Sequence, residues 1–273
     1  RSTAPNRSYD GEMSDVPAPV FATLSLEVDG GIGRLAPNRP RRLNALSPQA
    51  MQDIIAASDW LAALPELRVA LVAGEGRAFC AGFDLDEMRG AAATRDKATA
   101  DLGRRMVEAV EAIPAITVAL VQGHCVGGGL LLAAACDLRI AAADAQFSIP
   151  ELEIGIPLAW GGVPRLVRVV GPTVAMELVL DCNAFDAAQA LDWRLINKVV
   201  PEGALAEYGQ EWAERLARHP LTALRITKQR FSEVSQALCT SAGSEVDAEG
   251  LLAVFEDPET RRAQQRYIAS RRG

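Results

Sequence analysis

Leu24, Leu26 and Val28 alternate with polar neighbours, Asp29-Gly30-Gly31 interrupts them, and Ile32-Gly33-Arg34-Leu35 follows. That pattern predicts a two-stranded hairpin. Ser47-Pro48 then opens a helix, with serine as cap and proline at the first helical position, where its missing N–H costs nothing. Met51, Ile54, Ile55 and Leu61 form the apolar stripe of that helix. Short apolar, β-branched runs at 68–73 and 115–121 read as buried strands, with a helix over 101–112 between them. A nearly all-apolar helix at 129–136 belongs at the centre of the molecule, and further strands are expected at 138–141 and 196–200. Alternating strands and helices indicate an α/β protein with parallel pairing. From about Ala204 onward the pattern is helical only, through 225–231 and 257–270. A helical section with exposed apolar residues is a candidate oligomerisation element.

The length of 273 residues fits one large domain, or a core with an appendage. A content of 49% hydrophobic and 23% charged residues is that of an ordinary soluble globular chain. The net charge of −7 argues against general nucleic-acid binding, since no basic excess is available to displace phosphate counterions. A single polyanionic ligand needs only a local cluster; Arg39, Arg41 and Arg42 are either that or a solvated basic turn. Cys80, Cys125, Cys136, Cys182 and Cys239 are odd in number and contain no Cys-x-x-Cys pair, which suits free thiols in a reducing, cytoplasmic compartment. His124 and His219 belong to no ligand cluster, so no metal site is expected. His124 and Cys125, as neighbours at the end of an extended segment, should face opposite ways and form no nucleophilic pair. No Gly-x-Ser-x-Gly elbow is present, and no apolar run is long enough to span a membrane. Residues 1–19 read as a disordered polar tail without a signal pattern; the chain begins on Arg1, and Met13 is the expected natural start.

Two stretches carry the candidate chemistry: Ala78-Phe79-Cys80-Ala81-Gly82-Phe83-Asp84-Leu85 and Gly123-His124-Cys125-Val126-Gly127-Gly128-Gly129-Leu130. Three glycines before an apolar helical pattern allow another group to approach the main chain closely, because no Cβ intervenes. The N–H groups that open a helix lack internal partners and point outward. A second donor from the Ala81-Gly82-Phe83 turn would complete a two-donor oxyanion hole, as enolate formation from a thioester requires. Gly127-Gly128-Gly129 lacks the spacing and the following acid of a dinucleotide fingerprint.

These two stretches resemble the loops of the crotonase superfamily, the enoyl-CoA hydratases and isomerases. The resemblance extends to Asn38-Arg39-Pro40-Arg41-Arg42-Leu43-Asn44-Ala45-Leu46, to Gln146-Phe147-Ser148-Ile149-Pro150-Glu151 and to Gly161-Gly162-Val163-Pro164-Arg165-Leu166, from about Phe21 to the C-terminus. It implies a spiral of repeated ββα units over a core at 20–203, and a helical section at 204–273 that packs a homotrimer or a dimer of trimers. It also implies an acyl-CoA substrate with no separate cofactor, coenzyme A being part of the substrate.

By the same resemblance the oxyanion donors are the backbone N–H groups of Phe83 and Gly128, and Glu151 is the catalytic acid/base. Related hydratases use two glutamates, and the second falls here at Leu131, which is expected to line the substrate pocket instead. Losing one acid/base partner costs about 10²–10⁴-fold, so the resemblance implies double-bond isomerisation by Glu151 alone. A slow hydratase or related lyase that recruits Glu153 is the alternative, and a silent acyl-CoA-binding protein is another. Pattern alone leaves Glu153 open, because in an extended stretch it would share a face with Glu151. Apolar surroundings should raise the pKa of Glu151. Ala159 stands where dienoyl-CoA isomerases and dehalogenases of the superfamily carry an aspartate. The resemblance places coenzyme A against the Arg42–Ala45 segment and the Ala81, Asp84 and Leu85 turn, with Lys228, Phe255 and Arg271 as weaker contacts. Asp86 replaces a lysine common in the family, and Trp160 either shapes the acyl end of the pocket or is a core residue.

Overall fold

In the computed structural model, which describes residues 18–89 and 97–270, the alternating segment forms the expected hairpin. Strand β1 (Leu24–Asp29) pairs antiparallel with β2 (Ile32–Pro37) across Gly30 and Gly31, both at positive φ. A single 3-10 turn at Pro40–Arg42 leads to α1 (Pro48–Ala63), whose cap Ser47 accepts from the Ala50 N–H at 3.2 Å. Strand β3 (Val69–Val72) follows, then α2 (Leu85–Arg89), α3 (Lys97–Glu111) and β4 (Ile116–Val121). Next come β5 (His124–Val126), α4 (Gly128–Ala134), β6 (Leu138–Ala142), β7 (Gln146–Ser148) and α5 (Gly162–Asp181), which is broken at Gly171-Pro172. The remaining elements are β8 (Phe185–Asp186), α6 (Ala187–Asp192), β9 (Lys198–Val200), α7 (Leu205–Ala217), α8 (Leu221–Leu238), α9 (Val246–Glu256) and α10 (Pro258–Ser270).

Two sheets organise the chain. The larger has the order β1-β2-β3-β4-β6-β9 and is parallel except for the first hairpin. The smaller has the order β5-β7-β8, extended by a bridge between Cys80 and Cys125. The chain repeatedly visits the large sheet, then the small one, then a helix, as in β4-β5-α4 and β6-β7-α5. This is the ββα repeat that the resemblance implied.

Both faces of the large sheet are covered, as parallel strands require. Ala70, Val72, Ala119 and Val121 face α1, α3 and α4, while Val69, Leu71, Val118 and Leu120 face α7. Alternate residues of one strand thus belong to two cores, so β3 is buried throughout and reads as an unbroken apolar run. The five cysteines are unpaired, and burial pushes the Cys80 and Cys136 thiols up to about 12. His124 is exposed and Cys125 buried, on opposite faces as expected. Among the described residues no helix is long and apolar enough to cross a membrane. Of the expected tail, residues 1–17 lie outside the described residues, as does Arg271.

Candidate active site

The two glycine-bearing loops are held side by side by the small sheet. The Cys80 N–H donates to His124 O at 2.9 Å, and the Val126 N–H donates to Cys80 O at 3.0 Å. Gly82, at φ +85°, sits where a Cβ would lie 2.8 Å from Val126 O and 3.7 Å from the Gly128 nitrogen. A side chain there would wedge the loops apart. Leu46 brackets the turn, its N–H donating to Gly82 O and its carbonyl accepting from the Asp84 N–H. Between those bonds the Phe83 N–H has no acceptor among the described residues, and neither does the Gly128 N–H at the start of α4. Both residues line one cavity of about 180 Å³. The two residues named as oxyanion donors by the resemblance thus border the same space.

Asn44 explains the arginine-rich segment before the site. Its side chain donates to Glu75 O and Ala78 O at 2.9 and 2.8 Å and accepts from the Arg39 N–H, although it is 1% exposed. The turn is therefore anchored to the chain that leads into Phe79 and Cys80. Asp84 is buried and paired with Arg39 at 2.9 Å, and its other oxygen accepts from the Asp86 N–H at the start of α2.

Glu151 enters from the end of β7. The Gly127 N–H donates to Ser148 O at 2.9 Å, which aligns the two segments. The carboxylate lies directly over Gly127: a Cβ on that glycine would fall 2.5 Å from Oε1. Glu151 lines the cavity, and its Oε2 is enclosed without a hydrogen-bond partner. Desolvation raises its pKa to about 7, against a small opposing effect of its own backbone N–H. Half the carboxyls would then be ionised near neutrality, a useful condition for a proton acceptor that must also return the proton.

The segment after Glu151 is not extended. Bonds from the Ile154 N–H to Pro150 O and from the Ile156 N–H to Glu151 O curl it into turns, and Glu153 becomes exposed, outside the cavity wall. The expectation that Glu151 and Glu153 share a face is thus corrected. Among the described residues lining the cavity, Glu151 is the one carboxylate. Leu131, 2% exposed, and Ala159, 8% exposed, occupy the wall as apolar groups. Trp160 does both things weighed for it. It lines the cavity, meets Phe83 edge-on at 6.3 Å, and packs on α3 so closely that a Cβ on Gly103 would overlap its ring.

Ala81, Leu85 and Phe255 line the cavity with these residues. Four other expected contacts lie elsewhere. Arg42, an exposed side chain, pairs with Asp86, and the Ala45 carbonyl accepts from Arg39; neither residue forms the wall. Asp84 is spent on Arg39, so its part is to hold the turn. The Lys228 ammonium is committed within its own chain, to Asp137 at 2.8 Å and Ala115 O at 2.9 Å, and does not reach the cavity. The helix expected over 257–270 forms as α10, but its part in the cavity was not foreseen: it places Arg261, Gln264 and Tyr267 on the wall at a spacing of three. That spacing was the available signal, since residues three apart share one helix face.

A profile of the enoyl-CoA hydratase/isomerase family matches residues 27–272. The chain belongs to that family. A probable enoyl-CoA hydratase of Mycobacterium bovis is 32% identical over 248 residues, covering 86% of this chain and 96% of the relative. A crotonyl-CoA hydratase of Syntrophomonas wolfei is 33% identical over 240 residues, covering 87% of this chain and 92% of the relative. The solved structure of an enoyl-CoA hydratase from Mycobacterium avium subsp. paratuberculosis superposes with a TM-score of 0.82 at 27% identity, covering 91% of this chain and all of that one. The α/β fold is therefore that of the crotonase superfamily, and an acyl-CoA substrate is consistent with the family.

Proposed function

We propose that this member of the family shifts the double bond of an enoyl-CoA thioester, from the β,γ to the α,β position, with Glu151 as its only acid/base group. The Phe83 and Gly128 amides hold the thioester oxygen. Glu151 takes a proton from C2, the electron pair spreads into a dienolate on that oxygen, and the same carboxyl returns the proton at C4. The substrate is isomerised without water, metal or separate cofactor. The observation that carries this reading is the solitary carboxylate: Leu131 and Ala159 leave the cavity wall no second acid among its described residues. A donor placed for the developing enolate charge contributes roughly 2.7–4 kcal/mol in comparable sites.

A second reading is a hydratase of low activity, favoured by the names of the relatives, which are hydratases. A panel of acyl-CoA thioesters assayed for both reactions separates the two. Isomerisation of a β,γ-enoyl-CoA is expected to outrun hydration of crotonyl-CoA; equal rates would overturn the isomerase reading. A silent acyl-CoA-binding protein would bind the panel and convert none of it.

The assembly is proposed on α8. No residue of this 18-residue helix is buried in the single chain, and Ile226, Phe231, Val234 and Leu238 are more than half exposed. So large an apolar face on a soluble chain is one that a neighbouring subunit covers. A homotrimer, or a dimer of trimers, is the arrangement proposed.

A further inference from the structure

Resting on the acyl-CoA reading, the geometry points to Gln264 as a specificity residue that selects acyl chains bearing an oxygen beyond the thioester, such as a hydroxyl group. Gln264 lies on α10, in the wall of the same cavity as Glu151. Its Nε2 is enclosed and has no acceptor. Of the four side-chain atoms in this condition among the described residues, only those of Glu151 and Gln264 belong to the cavity wall. Glu151 is accounted for by proton transfer; Gln264 is not.

Helix α10 is fixed rather than loosely apposed. The Thr260 hydroxyl donates to Gly155 O at 3.0 Å, and a Cβ on Gly155 would fall 3.0 Å from the Thr260 Cα and 3.1 Å from the Ala263 Cβ. The turns that follow Glu151 thus carry α10 with them, and Gln264 stands one helical turn beyond that anchor. Arg261 and Tyr267 flank it on the same helix face, and Ile154, Ile156, Leu251 and Phe255 are apolar members of the same cavity wall. A hydrocarbon acyl group seated there would leave the amide dry and unpaired, a condition that disfavours binding. An acyl oxygen within reach would relieve it. A hydroxyl group both donates and accepts, so it can meet either end of the amide. A site built around a buried polar group rejects the analogue that lacks its partner more sharply than an apolar pocket rejects an extra methylene.

The test compares matched ligands by calorimetry: butyryl-CoA with 4-hydroxybutyryl-CoA, and hexanoyl-CoA with 6-hydroxyhexanoyl-CoA. The two chain lengths sample two depths of the cavity. In the wild type the hydroxylated member of at least one pair should bind about 10-fold tighter than its hydrocarbon partner. Gln264→Met, similar in length and apolar, should abolish that preference by tightening the hydrocarbon ligand toward the hydroxylated one, because the unpaired amide that disfavours it is gone. Binding of all four ligands without preference in the wild type would overturn the inference while sparing the acyl-CoA reading. A preference that survives Gln264→Met would also overturn it. Failure of all four to bind would overturn both. The wild-type comparison can overturn the inference even if the variant does not fold.

Discussion

The role proposed for Glu151 depends on the enclosure of its carboxylate. With its pKa raised to about 7, the carboxyl is protonated below neutrality, and turnover should rise with pH through about 7 as the base ionises. Stability should move the other way. The folded state holds the Glu151 proton more tightly than the unfolded state, so this group lowers stability as pH rises from its ordinary value of 4.5 through about 7. The penalty above that window is on the order of 3 kcal/mol. Glu151→Gln removes both effects: turnover should fall about 10²–10⁴-fold, while thermal melts lose that part of their pH dependence. Activity retained by Glu151→Gln and lost by Glu153→Gln would move the chemistry to the neighbouring acid. Leu131 supports the complementary change. Leu131→Glu should raise hydration of crotonyl-CoA above wild type, followed as loss of the conjugated thioester absorbance. The gain should be partial, because a second buried carboxylate beside the first costs stability unless water compensates. A parallel melt separates loss of fold from absence of effect.

At the scale of the element, one strand pairing decides whether the two amides meet. Cys80 and Cys125 form an isolated parallel bridge, and that contact sets Gly82 against Val126. Neither residue announces it. The small sheet has strands of two or three residues, too short for a period-2 pattern to register, so only its partner strands were legible in advance. The long elements were legible: the hairpin, the Ser47-capped helix, the four remaining strands of the large sheet and the central apolar helix follow from periodicity and caps. Helix α8 gives the test at this scale. Phe231, 73% exposed in the single chain, should lie in a subunit contact, and Phe231→Asp should shift the mass seen by light scattering from trimer or hexamer toward monomer. An unchanged mass with an unchanged melt would assign the α8 face to something other than assembly.

For the molecule as a whole, the helical C-terminal section has two separate parts. Helix α8 turns Ile226, Phe231, Val234 and Leu238 outward, whereas α9 folds back on α3, α10 packs on α9, and together they line the cavity of their own chain through Leu251, Phe255 and Gln264. A chain shortened before Val246 should thus lose acyl-CoA affinity by far more than it loses oligomer. In the intact protein, calorimetry with acetyl-CoA and crotonyl-CoA should show binding without added metal or nucleotide; no heat at millimolar ligand, in folded protein, would remove the central reading.

What the sequence determined by itself is local and periodic. Caps, alternation and apolar runs dictate the α/β order, and the glycine loops mark where bare backbone is available, because these depend on residues a few positions apart. The family resemblance likewise sets Glu151 at one acid position and leucine at 131, where related hydratases carry a second glutamate. Tertiary structure decided which of these groups share a space. Whether Glu153 stands beside Glu151 turned on bonds that curl 150–156 into turns, and whether Lys228 joins the cavity wall turned on its pairing with Asp137, ninety-one positions earlier. Gln264 became visible only when α10 was anchored on Gly155. Each of those outcomes is set by desolvation and pairing between segments distant along the chain, and no local pattern encodes that.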